Sequence, residues 1–193
     1  MPLNLPNILT WARIMMIPLI LGVFYLPDSW LHPMAKNLLS AALFMLAAVT
    51  DWFDGYLARR WNQLSAFGAF LDPVADKLMV AAALILLVQL ERVDAWLAAI
   101  IIGREITISA LREWMAQLGS ARSVAVSFIG KFKTAAQMVA ITVLLLHENF
   151  IPGLNTQKLG SVCLFVAALL TLWSMGYYLR MAWPQLNPPR DLT

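Results

Sequence analysis

Charge is scarce in this 193-residue sequence. Asp, Glu, Lys and Arg make up 13% of it and the residues AVILMFWYC 61%, where a soluble domain carries about 25% and about 45–50%. With a mean hydropathy of +0.71, a water-soluble fold is excluded and an all-α integral membrane protein is expected. Cysteine is nearly absent. Cys163 lies inside an apolar run, so no intrachain disulfide can form and the residue reads as a small hydrophobe in a helix. There is no glycine-rich phosphate loop, no nucleophilic-serine constellation and no zinc-ligand spacing, and the two histidines, His32 and His147, stand far from the acids. No internal repeat is visible, which leaves an inverted-repeat transporter without direct support. A net charge of +3 and a pI near 9.2 would suggest nucleic acid in a soluble chain. In a membrane protein the positive-inside bias accounts for them, and no nucleic-acid partner is expected.

What the chain does have is long apolar runs. Six of them, at roughly 8–27, 35–58, 69–90, 94–116, 128–149 and 157–182, approach the ~20 residues that a hydrocarbon core demands, so six transmembrane helices are predicted. The intervals carry turn residues, among them Pro27 to Pro33 and the Pro152-Gly153 pair. The first run holds Arg13, lacks a basic leader and continues past any plausible cleavage site, so it reads as a retained helix. Arg59, Arg60, Arg112, Arg122, Lys131, Lys133, Arg180 and Arg190 fall at two junctions and the C-terminal tail, whereas the other three loops hold only Lys36, Arg92 and Lys158. Both termini are therefore expected in the cytoplasm. Trp30, Trp61, Trp96, Trp114 and Trp183 fall near predicted span ends and read as interfacial anchors.

Against this background four acids stand out. Asp51, Asp54, Asp72 and Asp76 belong to the string D-x2-D-G-x2-A-R-x8-G-x3-D-x3-D, which straddles the second and third runs. An ionised Asp at the bilayer centre costs roughly 2.5–3.5 kcal/mol, so such residues mark function. Asp51 and Asp54 are three apart and Asp72 and Asp76 four apart, so each pair shares a helical face. A short connection should make the two helices antiparallel neighbours whose acidic pairs face each other. Four carboxylates that close require neutralisation, and two divalent cations would supply it. All-oxygen ligation with no nearby His or Cys selects Mg2+ or Mn2+ over zinc. Gly55, Ala58 and Gly68 clear space beside the acids for something flat and bulky, and Arg59 offers a cation to phosphate.

Basic residues outside the string point to a second anion. Arg104 and Arg112 are eight apart on the fourth run and share roughly one face, while Lys131, Lys133 and Thr134 open the fifth. Arg104 lies well inside a span beside Glu105, which topology alone explains poorly. Asn7, Thr10 and Arg13 recur every three residues at the start of the first helix and can line a pocket on the cytoplasmic side.

The string from Asp51 to Asp76 resembles, at every fixed position, the signature of the CDP-alcohol phosphatidyltransferases. Gly103-Arg104-Glu105, Leu111-Arg112, Gly130-Lys131-x-Lys133-Thr134 and Pro6-Asn7-x-Leu9-Thr10-x2-Arg13 resemble the branch whose acceptor is glycerol 3-phosphate. The resemblance implies one membrane-embedded domain over residues 1–193 in a bacterial plasma membrane, with the active site facing the cytoplasm and two chains forming a homodimer. It implies that Asp51, Asp54, Asp72 and Asp76 bind two Mg2+ or Mn2+ ions, with Asp76 also the general base. Asn7, Thr10, Gly55, Ala58, Arg59 and Gly68 would then receive CDP-diacylglycerol, and Arg104, Arg112, Lys131 and Lys133 the acceptor's phosphate. Membrane lipids are the remaining partner. Within the family the alternative acceptors are inositol phosphate, serine and phosphatidylglycerol. From another class, the rival is a transporter of divalent cations or protons.

Overall fold

The computed structural model describes residues 5–60, 66–117, 128–148 and 155–186, and contains no strand among them. Helix α1 (Leu5–Gly22) runs into a 3-10 turn, Val23–Tyr25, and is followed by α2 (Pro33–Arg60), α3 (Ala66–Gln89), α4 (Ala95–Gln117), α5 (Phe128–Leu146) and α6 (Thr156–Leu186). Helix α1 stops short of residue 27 for a local reason. Leu26 precedes Pro27 and is extended at φ −67°, ψ 143°, as the proline ring requires of its predecessor. Pro33 opens α2, where its missing N–H costs nothing. Asn155 Oδ1 accepts the Lys158 N–H at 2.9 Å, and so caps the start of α6.

One end of the bundle is tied together around Arg92, in the turn between α3 and α4. Glu91 is left-handed at φ 57°, and the Arg92 N–H returns to the Leu87 carbonyl at 2.9 Å, which closes α3 in the manner of a Schellman cap. The Arg92 guanidinium donates to the Leu144 and Leu145 carbonyls at the end of α5 (3.2 and 2.9 Å) and to Asn37 Oδ1 of α2 (2.7 Å). It also lies 5.9 Å from the centre of the Phe24 ring. Gln157 of α6 donates to the Arg92 carbonyl, and Asn37 to Glu148. Burial holds the Arg92 guanidinium below its ordinary pKa, and nearby Glu148 opposes that pull. Lys36 is engaged in the same way, by the Leu26 carbonyl and by Asp28, whose carboxyl it holds below the usual range. Two of the three basic residues assigned to these loops by sequence therefore spend their charge inside the protein.

The apolar core runs through all six helices, with Phe44, Leu84, Leu87, Ile101, Ile141 and Leu164 fully buried. Large apolar side chains such as Met15, Leu19, Ile85, Val162 and Trp173 point outward, an arrangement suited to lipid. Among the described residues three helical stretches are long and apolar enough to cross a membrane, Ile8–Tyr25, Pro33–Asp51 and Thr156–Arg180, and Thr134–Leu146 is a shorter apolar one. Helices α3 and α4 have the length as well. Every span-length stretch in them, however, includes Asp72, Asp76 and Lys77 or Arg104, Glu105 and Arg112. The side chains that make these helices interesting chemically are those that lower their apolar character. Among the Trp residues read as anchors, Trp30, Trp96 and Trp183 are exposed. Trp114 instead packs partly buried against the Ile108–Met115–Tyr178 cluster, and Trp61 lies outside the described residues.

Close packing of α5 on α6 rests on Gly160. A Cβ there would fall 2.6 Å from Leu144 Cγ and 2.8 Å from its Cδ2, and Leu144 is itself fully buried. Gly160→Ala is expected to destabilise the purified protein by about 1–3 kcal/mol through overpacking. A Cβ at Gly103 meets nothing within 4 Å, so Gly103→Ala serves as the control. Thermal unfolding in detergent checks both, and equal midpoints would refute the packing argument.

Candidate active site

Helix α1 brings the acids of α2 and α3 together. Thr10 and Arg13, one turn apart on α1, are 1% and 0% exposed. Thr10 Oγ1 donates to Asp72 Oδ1 at 2.5 Å. Arg13 Nη1 lies 2.6 Å from Asp76 Oδ1 and 2.9 Å from Asp51 Oδ1. One guanidinium nitrogen thus holds a carboxylate from each helix. The contacts 10–72 and 13–76 advance together, so α1 and α3 run parallel.

The acidic pairs were expected to face each other across adjoining helices. Asp51 of α2 and Asp76 of α3 do approach each other, but across Arg13: among the described residues α2 and α3 touch only marginally, while α1 packs extensively against both. The physical reason is charge. Carboxylates repel at contact distance, and a buried cation with a hydroxyl donor between them removes that repulsion. Asp51 and Asp76 keep 36% and 33% of their side chains exposed, so the cluster is open on one side. Within α3, Pro73 lies between the two acids and has no N–H for the carbonyl of residue 69, which removes one helical hydrogen bond beside Asp72.

The clustered acids are carboxylates alone, the ligand chemistry that Mg2+ and Mn2+ prefer. A single guanidinium nitrogen reaches both Asp51 and Asp76, so Arg13 stands between their oxygens. Among the described residues no three candidate ligands surround one point. The fourth acid, Asp54, has a side chain outside the described set, as do Asn7, Ala58, Arg59, Lys131 and Lys133, and so does the Gly55 position. Gly68 is buried one turn before Asp72.

Arg104 and Arg112 lie elsewhere, at the seam between α4 and α6. Arg104 is 6% exposed. Its Nη1 meets Glu105 at 3.1 Å, and its Nη2 donates to Ser174 Oγ of α6 at 2.7 Å. The Arg112 guanidinium stands 5.5 Å from the centre of the Tyr178 ring. Arg104 is ion-paired with its neighbour Glu105, but sequence reasoning missed the α6 residues that meet the two arginines. The available signal was a pair of hydroxyls, Ser174 and Tyr178, spaced one turn apart in an apolar helix. The role of Arg13 was also only half visible, since its spacing from Thr10 suggested a shared face without saying what that face meets.

The model of the CDP-alcohol phosphatidyltransferase family matches residues 3–173, a range that contains every one of these side chains except Ser174 and Tyr178. The chain belongs to the CDP-alcohol phosphatidyltransferase family. It is 54% identical over 186 residues to proteins named CDP-diacylglycerol--glycerol-3-phosphate 3-phosphatidyltransferase from Salmonella choleraesuis (strain SC-B67), Shigella flexneri and Escherichia coli (strain K12). Each alignment covers 94% of this chain and 96% of the relative. In this member of the family, Asp51, Asp72 and Asp76 of the signature meet side chains of α1.

Proposed function

We propose that this chain transfers the phosphatidyl group of CDP-diacylglycerol to sn-glycerol 3-phosphate, giving phosphatidylglycerophosphate and CMP. The observation that carries this reading is the convergence of Asp51, Asp72 and Asp76 on Arg13 and Thr10, in a chain similar over nearly its whole length to relatives named for that reaction. The acceptor hydroxyl attacks the phosphorus that bears diacylglycerol, the bond from that phosphorus to CMP breaks, and CMP departs with the electron pair. Asp76 takes the hydroxyl proton as general base. Asp51, Asp54, Asp72 and Asp76 hold two Mg2+ or Mn2+ ions, which when bound polarise the phosphorus and stabilise the charge on the leaving phosphate.

The remaining residues bind and orient. Thr10 fixes Asp72 through its hydroxyl and, with Asn7, borders the donor's seat. Gly55, Ala58 and Gly68, which lack bulky side chains, accommodate the cytidine diphosphate, and Arg59 binds its phosphates. Arg104, Arg112, Lys131 and Lys133 receive the acceptor's phosphate. Six helices span the bacterial plasma membrane as one domain, both termini and the active site are cytoplasmic, and two chains form a dimer. Parallel contact of α1 with α3 and of α4 with α6 supports this alternation, since odd helices then share one direction and even helices the other.

CMP release by purified protein, measured with CDP-diacylglycerol, Mg2+ or Mn2+ and a panel of alcohols, tests the proposal. Release that depends on glycerol 3-phosphate and disappears with chelator is expected. Release with another alcohol alone would reassign the acceptor. No release with any alcohol, together with cation uptake by vesicles containing the protein, would replace the enzyme reading with transport.

A further inference from the structure

At the α4–α6 seam, two buried hydrogen-bond donors have no partner among the described residues. Arg104 Nε and the Tyr178 hydroxyl are both enclosed and unsatisfied, on side chains belonging to residues only 6% and 2% exposed. Leaving a buried polar group unpaired is destabilising, so two on facing helices call for an acceptor. The seam also has an excess of positive charge. Arg104 and Arg112 contribute two cations, and Glu105 is the one carboxylate paired there among the described residues.

The two helices present these groups on one face. Positions 104, 108 and 112 of α4 follow one another at intervals of four, and Ile108 packs with Tyr178 in a buried cluster. The Arg104–Ser174 hydrogen bond and the Arg112–Tyr178 contact form rungs on either side of that cluster. The arginines stand about 12 Å apart along the helix axis, a gap that their long side chains narrow from both ends. Arg112 and Tyr178 are both close enough to Arg104 to interact with its charge. Ser174 uses up one edge of the Arg104 fork and donates its own proton to the Thr171 carbonyl at 2.9 Å, and Nε has no partner among the described residues.

We infer that α6 supplies half of the acceptor seat: the Tyr178 hydroxyl and Arg104 Nε bind a phosphate monoester dianion opposite Arg112, and Ser174 is the positioning residue that orients Arg104. This rests on the glycerol 3-phosphate reading above and extends it to two residues outside the matched family region. It also assigns Glu105 a purpose, since its carboxylate offsets the charge of Arg104 and leaves that of Arg112 for the incoming dianion.

Tyr178→Phe is the cleanest test, because it removes the hydroxyl and keeps the ring against Arg112. A hydrogen bond to a charged group is worth about 1.5–3 kcal/mol, so KM for glycerol 3-phosphate should rise roughly ten-fold or more. The kcat at saturating acceptor and the KM for CDP-diacylglycerol should hold steady. Ser174→Ala should raise the acceptor KM by a smaller factor, and Ser174→Thr should restore it. Equal changes in both KM values, or none, would overturn the inference while leaving the reaction intact. A second arm needs no turnover. Glycerol 3-phosphate should raise the thermal midpoint of the wild-type protein more than that of Tyr178→Phe, whereas glycerol should raise neither. If wild type turns nothing over yet shows this difference, the anion seat stands and the proposed reaction falls. Protection by phosphatidylglycerol in nanodiscs, with none from glycerol 3-phosphate, would make the seam a lipid-headgroup site and overturn the assignment to the acceptor.

Discussion

Asp76→Asn should lower kcat by on the order of 10²–10⁴-fold, the contribution general-base catalysis makes when its base is lost. The substitution is nearly isosteric, and its amide oxygen can still accept from Arg13, which now lies 2.6 Å from the carboxylate. What disappears is the negative charge that takes the hydroxyl proton. CDP-diacylglycerol binding, followed separately by equilibrium binding of the donor, should remain measurable. Near-normal turnover would remove Asp76 as the base. Loss of donor binding along with turnover would mean that its charge acts chiefly through the metal ions.

The second large effect is expected at Arg13. Arg13→Met keeps most of the side-chain volume but leaves Asp51 and Asp76 without their shared cation. Breaking a fully buried ion pair from one side costs about 3–5 kcal/mol. Here both carboxylates are about one-third exposed, so solvent screening reduces the expected loss to about 1–3 kcal/mol. Thermal unfolding would then shift down by several degrees, at roughly 2–4 °C per kcal/mol for a chain of this size. Activity should fall further than stability, by on the order of a hundred-fold, because acids displaced by about an ångström no longer meet the reacting groups. Arg13→Lys retains the charge and should recover part of both losses. A methionine variant that turns over normally would show that α1 is only a packing partner of the acidic helices.

Arg13 also marks where sequence reasoning ends. The acids were legible because their spacing is local. Asp51 and Asp54, like Asp72 and Asp76, are related by helical periodicity within one element, and that periodicity can be read without knowing the fold. The helices themselves were legible from the length of the apolar runs, with departures at the ends. Helix α1 yields to an extended Leu26 before Pro27, and α6 begins at Thr156 behind the Asn155 cap. Periodicity cannot say which helix fills the space between two others. The short α2–α3 connection suggested direct contact, whereas the packing places α1 against both.

The same limit applies to α4. Its arginines were recognisable as misplaced for a simple span, and Glu105 was visible as a neighbour. Ser174 and Tyr178, about 70 residues away, came into view only when α6 was seen to lie against that face. Arg92 shows the reverse case. Read as a loop charge, it is a structural hub that caps α5 and joins α2, α5 and α6.

By itself, the sequence determined the membrane class, the helices and the pairing of the acids on helical faces, because hydrophobic length, periodicity and side-chain charge act within one segment at a time. Only the tertiary structure decided that Arg13 bridges Asp51 and Asp76, that Thr10 orients Asp72, and that α6 faces the arginines of α4. Each of those contacts depends on how buried charges find compensation between helices distant in sequence. That is settled by the packing of the whole bundle, where repulsion among like charges and the cost of unpaired donors are balanced across several elements at once.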